Sequence, residues 1–261
     1  MKDKVILISI DGMRPDGVMS CGNPYVNELM KIGSYTLNAK TVFPSVTLPC
    51  HMSLFHSVTP ERHGITTNLY MPPVRPVDGL FEVIKNAGGV SAMYYGWEPL
   101  RDVSRPGSLK AAEYINAYSF DRTDAMLTDS ALSYIQKAKP DFVFLYMVET
   151  DEKGGHDNGW MSKEYLEVIR HAIDNVKRVI EEAGEEYTVI VTADHGGHER
   201  AHGSDMPEDM TIPMFFVGKM FEKGKELSGI SILDLAPTVA DIMELSIPRE
   251  WEGKSVLGER K

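Results

Sequence analysis

The feature that most constrains the fold is a series of short, continuous apolar runs separated by longer amphipathic stretches. The first run, residues 5–10 (VILISI), ends at Asp11-Gly12, which is typical of a buried parallel strand that opens into a loop. The runs are rich in β-branched and aromatic residues, which favour strands. The other runs cover residues 90–95, 142–147, 188–192 and 214–217.

Helical patterns lie between these runs and cover residues 80–86, 122–137, 163–182 and 234–245. In the last pattern Asp234 can cap the helix and Pro237 suits its first turn. Alternating strands and helices predict an α/β fold in three layers, with a mostly parallel central sheet sandwiched between helices. In such sheets, functional sites gather beyond the carboxyl ends of the strands.

The length of 261 residues suffices for one large domain, so we expect a single catalytic domain over residues 1–261. Residues 70–76 and 96–110 are irregular and contain several prolines, which predicts loops. The segment around residues 70–115 is the candidate for a small cap on that domain. Neither loop has the length or polarity of an interdomain linker.

Charge and cysteine content narrow the function classes. With 27 basic and 38 acidic side chains the net charge is -11, which disfavours binding to a nucleic-acid polymer. Only Cys21 and Cys50 are present, so we expect no disulfide framework. The apolar run after Met1-Lys2-Asp3-Lys4 is too short for a signal peptide or a membrane span. We therefore expect a cytoplasmic protein that does not bind membranes.

Carboxylates and imidazoles come directly after three of the apolar runs. Mixed aspartate and histidine ligands suit two divalent metal ions, zinc first, with manganese or iron as alternatives. Two such ions can activate an oxygen nucleophile and stabilise the leaving oxygen of a phosphate ester. The candidate ligands are Asp11, Asp151, His156, Asp194, His195 and His202.

A hydroxyl group stands where a strand-like stretch, residues 43–49 (FPSVTLP), turns into a helical one. Pro49 suits the first turn of that helix. The backbone amide after Thr47 and the positive helix end would favour a bound phosphoryl oxygen. This placement makes Thr47 the candidate nucleophile, although Thr47 considered alone fits the role of a helix cap better.

In this order the motifs resemble the alkaline phosphatase superfamily, and within it the type I phosphodiesterase/nucleotide pyrophosphatase branch. Residues 8–14 (ISIDGMR) resemble the opening metal motif, and residues 43–49 resemble the segment whose threonine becomes transiently phosphorylated or nucleotidylated. The resemblance continues to the end of the chain. Its further segments are residues 60–68, 151–156, 193–196, 202–203, 232–238 and 251–254.

The resemblance implies a role for each residue. It places Asn68 on a phosphoryl oxygen, together with the backbone after Thr47. One spacing departs from the family pattern Asp-x-x-Gly-His, because residues 151–156 (DEKGGH) contain one extra residue. Counting back from His156 would select Glu152, but we expect Asp151, with a bulge at the two glycines. The implied metal sets are Asp11, Thr47, Asp194 and His195 for one ion, and Asp151, His156 and His202 for the other.

The sequence thus predicts a two-metal phosphohydrolase that cleaves phosphodiester or nucleotide pyrophosphate bonds through a covalent intermediate on Thr47. Its substrate would be a small phosphorylated molecule, with a nucleotide as one candidate. A phosphomonoesterase or phosphomutase is the alternative, and Arg14, Arg101 or Arg105 would then bind a terminal phosphate. A metal-binding scaffold without turnover is the alternative of another class. Thr47 and Asn68 speak against the scaffold, because metal binding alone requires neither.

Overall fold

The computed structural model describes residues 3–258, so Met1, Lys2 and residues 259–261 lie outside the described part. One sheet forms the centre of this part and contains seven strands. The strands are β1 (Lys4–Ile10), β2 (Ser34–Lys40), β3 (Ser91–Tyr95), β4 (Ala111–Tyr114), β5 (Phe142–Met147), β6 (Tyr187–Thr192) and β7 (Thr211–Val217).

The strands lie in the order β2-β7-β6-β1-β5-β3-β4. The five strands from β6 to β4 run parallel, and β7 pairs antiparallel with both β6 and β2. At the centre Ile6 lies opposite Val143 of β5 and Val189 of β6. Every residue of β5 and β6 is buried, as their continuous apolar runs require. The predicted mostly parallel sheet is confirmed.

The α-helices of the described part are α1 (Pro15–Ser20), α2 (Tyr25–Ile32), α3 (Thr47–His56), α4 (Pro60–His63), α5 (Leu80–Asn86), α6 (Thr123–Ala138), α7 (Lys163–Glu182), α8 (Pro207–Met210) and α9 (Leu235–Ile242). Helices α3, α5 and α9 contact one another, and α7 contacts α1, α2 and α6. The ring of Phe55 on α3 packs on Phe144 of β5, with ring centroids 4.9 Å apart. The three-layer α/β architecture is confirmed.

Two of the predicted helices, α5 and α7, have the bounds that the sequence pattern indicated. Helix α6 begins and ends one residue later than predicted. The helix predicted over residues 234–245 is present as the shorter α9, and a 3-10 turn, Ile232–Asp234, precedes it. Helix α7 begins sharply because the Ser162 hydroxyl accepts a hydrogen bond from the backbone N–H of Tyr165 at 3.1 Å.

Sequence reasoning missed the two edge strands, β2 and β4. An edge strand has one paired side and is not buried on both faces, so it needs no continuous apolar run. Strand β2 (SYTLNAK) alternates between buried and more exposed residues, and β4 (AAEY) has four residues. The irregular residues 96–110 include a 3-10 helix, Glu98–Val103. No helix within residues 3–258 is both long and apolar enough to cross a bilayer.

Candidate metal site and nucleophile

The three central parallel strands end at the same edge of the sheet and deliver the candidate ligands there. Asp11 follows β1, and Asp194 with His195 follows β6. Asp151 follows β5 on a π-helix, Thr150–His156. Gly12 turns the chain with φ +66, and a Cβ at this position would lie 2.9 Å from Oδ1 of Asp151. Glycine is therefore needed where the β1 and β5 loops meet.

The candidate ligand atoms form two compact groups. Asp11, Asp194 and His195 are the first group, and Asp151, His195 and His202 are the second group; within each, the ligand atoms lie within 4.8 Å of one another. The resemblance placed His195 with the first metal only, whereas the structure places it in both groups. The rings of His195 and His202 stack with centroids 3.9 Å apart. The two groups are thus neighbours.

Hydrogen bonds to the outer atoms of these ligands orient the inner atoms toward the cluster. Nδ1 of His195 lies 2.7 Å from the carbonyl oxygen of the next residue, and Nδ1 of His202 lies 2.9 Å from that of Ser45. Oδ1 of Asp194 accepts the backbone N–H groups of Gly12 at 3.2 Å and of His195 at 2.9 Å. Contacts of this kind fix ring tautomers and carboxylate orientation around metal ions.

Three carboxylate oxygens in the cluster are buried and accept no hydrogen bond within the described residues: Oδ1 of Asp11, Oδ1 of Asp151 and Oδ2 of Asp194. An unsatisfied buried oxygen is unfavourable, and more so when it carries charge. One side chain from each of three strand ends therefore points an unpaired oxygen into one small volume. Divalent cations would satisfy all three oxygens, so the donor set fits metal ions.

The electrostatics of the cluster support the same conclusion. Burial and the nearby charge of Asp11 raise the pKa of Asp194 well above its usual range and that of Asp151 to about 6. Burial alone would also raise the pKa of Asp11, but His195 lowers it to about 2. Without a cation, the cluster therefore disfavours three ionised carboxylates. A bound cation would reverse that preference.

The two outer imidazoles differ. Burial, and then the charge of His195, lower the pKa of His202 to about 3, so this ring stays neutral and can offer an electron pair. The hydrogen bond with Asp151 raises the pKa of His156 to about 9. His156 flanks the second group: its Nε2 lies 3.3 Å from Oδ2 of Asp151, and 36% of its side chain is exposed.

The π-helix explains the extra residue between Asp151 and His156. In a π-helix, hydrogen bonds join residues five apart rather than four, so one inserted residue still leaves both side chains on one side. The π-helix is the expected bulge and contains both glycines, but Gly154 and Gly155 have no positive φ, so the turn does not depend on glycine conformation. Close packing requires glycine at position 155, because a Cβ there would lie 2.5 Å from the ring of Trp160.

Glu152, the alternative ligand, points elsewhere. Its carboxylate accepts a hydrogen bond from the hydroxyl of Tyr118. Asp151 is 3% exposed, and its Oδ1 lies 3.9 Å from Nε2 of His202. The structure therefore brings Asp151 to the cluster.

Thr47 begins helix α3, and Val46 before it is extended, as the sequence predicted. The Thr47 hydroxyl is buried beside the first group, with Oγ1 3.3 Å from Nε2 of His195. The next backbone N–H, that of Leu48, donates to Oδ1 of Asn68 at 3.0 Å. Asn68 is thereby held over the start of α3. The amide expected to bind phosphate bonds to Asn68 here, which leaves the side-chain NH₂ of Asn68 as a donor.

Two further side chains touch the site and were missed as site residues. The buried ring of His51 has Nδ1 2.8 Å from the carbonyl oxygen of Thr47 and Nε2 3.1 Å from Oγ of Ser9. The hydroxyl of Tyr146 donates to Oδ2 of Asp11. Spacing by one helical turn links His51 to Thr47, but nothing in an apolar strand distinguishes Tyr146 from its neighbours.

The three arginines considered for a terminal phosphate pair with nearby carboxylates. Arg14 forms an ion pair with Asp16 at 2.6 Å and also bonds the carbonyl oxygen of Gly197 at 2.9 Å. Arg105 lies 3.4 Å from Asp78. Arg101 pairs with Glu98 in the same 3-10 helix. These pairings give no support to a terminal-phosphate clamp.

Residues 5–206 match the type I phosphodiesterase/nucleotide pyrophosphatase family. The chain belongs to this family. The family consists of hydrolases in the alkaline phosphatase superfamily, whose members depend on metal ions. The family match covers all six candidate metal ligands, Thr47 and Asn68.

Individual proteins agree with this membership. The rat ectonucleotide pyrophosphatase/phosphodiesterase family member 1 is 25% identical over 218 residues, which cover 73% of this chain and 24% of the relative. A 2,3-bisphosphoglycerate-independent phosphoglycerate mutase of Clostridioides difficile (strain 630) is 29% identical over 140 residues, 51% of this chain and 27% of the mutase. This chain thus spans about a quarter of either relative's length.

The fold has a solved counterpart in murine ectonucleotide pyrophosphatase/phosphodiesterase 5, determined in complex with AMP. The TM-score is 0.80 at 17% sequence identity, and the match covers 94% of this chain and 96% of the murine chain. This likeness supports the alkaline phosphatase-like fold.

Proposed function

We propose that this family member is a two-metal phosphohydrolase that cleaves phosphodiester or nucleotide pyrophosphate bonds, with Thr47 as its nucleophile. The observation that carries the proposal is the position of the Thr47 hydroxyl at the start of α3, 3.3 Å from Nε2 of His195. A threonine that served only as a helix cap would not need to lie beside a metal-ligand cluster.

The first group would hold one ion and the second group, with His156, the other. When bound, zinc or a similar ion would lower the pKa of a nucleophilic hydroxyl and stabilise the charge of a leaving oxygen. His195 belongs to both groups, but its Nε2 can bind only one ion, and we assign it to the first. Asp151 with His156 and His202 would hold the second ion.

The chain's own residues would perform the remaining steps. The Thr47 hydroxyl would pass its proton to solvent and its oxygen would attack phosphorus, while the bond from phosphorus to the leaving oxygen breaks and that oxygen takes up a proton from solvent. The NH₂ group of Asn68 donates to a non-bridging oxygen, and the N-terminus of α3 favours the anion. Water then attacks phosphorus, breaks the bond to Thr47 and restores the hydroxyl.

For the substrate we propose a small phosphorylated molecule such as a nucleotide. The names of the rat relative and of the AMP-bound murine protein support this choice. The net charge of -11 is unsuited to holding a nucleic-acid polymer. The cytoplasmic location inferred from the two cysteines stays a prediction.

Replacing Thr47 tests the proposal directly. We expect Thr47→Ala to lower kcat on a bis-aryl phosphate at least ~10³-fold, because the covalent route is lost. Bound metal, counted by elemental analysis, should stay within a factor of about two of wild type, since six other ligands remain. Thr47→Ser retains a hydroxyl and serves as the matched control. Wild-type activity in Thr47→Ala would refute the nucleophile assignment.

A phosphomonoesterase or phosphomutase is the second candidate, favoured by the similarity to the Clostridioides difficile mutase. The local pairing of Arg14, Arg101 and Arg105 weighs against it. Rates on a bis-aryl phosphate and on its monoaryl counterpart separate the two. We expect faster diester cleavage, and a monoester rate more than tenfold higher would favour the second candidate.

A further inference from the structure

Tyr146 lies near the carboxyl end of β5 and is fully buried. The register of β1 with β5 places Tyr146 opposite Ser9. Asp11 comes two residues after Ser9, on the same side of the chain, because side chains alternate along an extended strand. The phenol thus reaches Asp11 diagonally and donates its hydrogen bond to Oδ2.

This hydrogen bond gives the two carboxylate oxygens of Asp11 different roles. Oδ2 is engaged by the phenol, whereas Oδ1 is buried without a hydrogen bond from any described residue. Oδ1 also lies 3.2 Å from Nε2 of His195, inside the first group. A carboxylate can offer a metal one oxygen or both. Because the phenol engages Oδ2, Asp11 keeps only Oδ1 free to bind a metal ion.

Asp194 also has one hydrogen-bonded oxygen and one free oxygen, but its donors are backbone groups. Its Oδ1 is held by two backbone N–H groups, and its Oδ2 is the unpaired oxygen. No side-chain substitution would remove the donors on Asp194. On Asp11 a single phenol holds the outer oxygen, so one substitution can release it.

We propose that Tyr146 is a positioning residue that restricts Asp11 to one metal-binding oxygen and thereby selects small ions of low coordination number. Zinc in proteins prefers four ligands, whereas manganese prefers six and accepts more oxygens. Releasing the second oxygen of Asp11 would therefore disfavour zinc relative to manganese. This inference rests on the proposed metal dependence.

The test compares metal affinities of Tyr146→Phe and wild type. Chelator-stripped protein is titrated with Zn²⁺ and with Mn²⁺ against a fluorescent competitor. We expect Tyr146→Phe to lower the Zn²⁺ affinity about 10- to 100-fold, as is typical when a partner of a metal ligand is lost. The Mn²⁺ affinity should fall less, so the ratio of Zn²⁺ to Mn²⁺ affinity should drop, by up to about 100-fold.

Tyr187→Phe is the matched control. Tyr187 is a buried tyrosine on β6, and its hydroxyl donates to the carbonyl oxygen of Pro140 at 2.8 Å, at the other end of the sheet. Its replacement also removes one buried phenolic hydrogen bond. Zinc preference in this variant should equal that of wild type.

The outcomes separate this inference from the proposed function. If wild type binds no ion, the proposed function fails. If wild type binds ions but Tyr146→Phe keeps the same zinc preference, or loses both affinities equally, only the role of Tyr146 fails. Should Tyr146→Phe not fold, a crystal structure of zinc-loaded wild type decides. One Asp11 oxygen within about 2.2 Å of zinc supports the role, and both oxygens within about 2.6 Å overturn it.

Discussion

The two ligand groups share His195 but are held in different ways. The first group lies at the ends of central strands, with Asp11, Asp194 and His195 almost completely buried. The second group adds Asp151 and His202, on a π-helix and a loop, and is flanked by the partly exposed His156. Ligands fixed by the packed sheet cannot adjust separately, whereas ligands on local turns can. We therefore expect a rigid first site and a more tolerant second site.

The largest effect should follow from removing the shared ligand. His195→Ala removes an Nε2 that can bind only one ion, the ion of the first group as the resemblance implies, so we expect the affinity for that ion to fall more than ~100-fold, beyond the loss seen for indirect partners. His156→Ala should weaken one ion only, by about 10- to 100-fold, because this half-exposed ring flanks the second group. Competitive Zn²⁺ titration measures both. An unchanged affinity for the first ion in His195→Ala would show that Nε2 of His195 does not bind it.

A second effect concerns the metal-free protein. The pKa of Asp151 is about 6 in the folded chain, against about 4 in an unfolded chain. The folded state therefore binds more protons between these values, and the free energy of unfolding contributed by Asp151 falls as pH rises from 4 to 6. The two-unit difference corresponds to about 3 kcal/mol. The raised pKa of Asp194 acts in the same direction.

Asp151→Asn isolates this contribution from the other acidic groups. Urea unfolding in chelator at pH 4 and pH 7 should show Asp151→Asn gaining stability relative to wild type by about 3 kcal/mol at the higher pH. Asp11 does not interfere, because its pKa of about 2 keeps it ionised across this range. If the stability difference between Asp151→Asn and wild type is the same at both pH values, the pKa of Asp151 is not raised in the metal-free protein.

The smallest effect tests the packing of the π-helix. Gly155→Ala would place a Cβ 2.5 Å from the ring of Trp160, and we expect a loss of roughly 1–3 kcal/mol in the free energy of unfolding. Metal affinity should fall in the second group and persist in the first. In the double variant with Trp160→Phe the smaller ring makes room, so the losses should be less than additive. Strict additivity would place the strain elsewhere.

Much of the fold followed from pattern alone. Continuous apolar runs identify strands β5 and β6, and amphipathic patterns identify helices α5 and α7. The type of these elements and most of their bounds could therefore be read from the sequence. Strand β2 could not, because an edge strand mixes polar and apolar residues. In the site, the sequence predicted a helix start at Thr47 but not the hydrogen bond from Leu48 to Asn68, since the loop between them has no regular pattern.

What the sequence determined by itself is the edge of the sheet where the candidate ligands gather. Apolar runs make parallel strands, and the residues after them meet at one edge whatever the details of packing. Only the tertiary structure decided that His195 lies in both groups, that a π-helix accommodates the extra residue before His156, and that Tyr146 donates a hydrogen bond to Asp11. These depend on the register of β1 with β5 and on the fit of Gly155 against Trp160. Such contacts join residues far apart in the chain, and no local pattern encodes them.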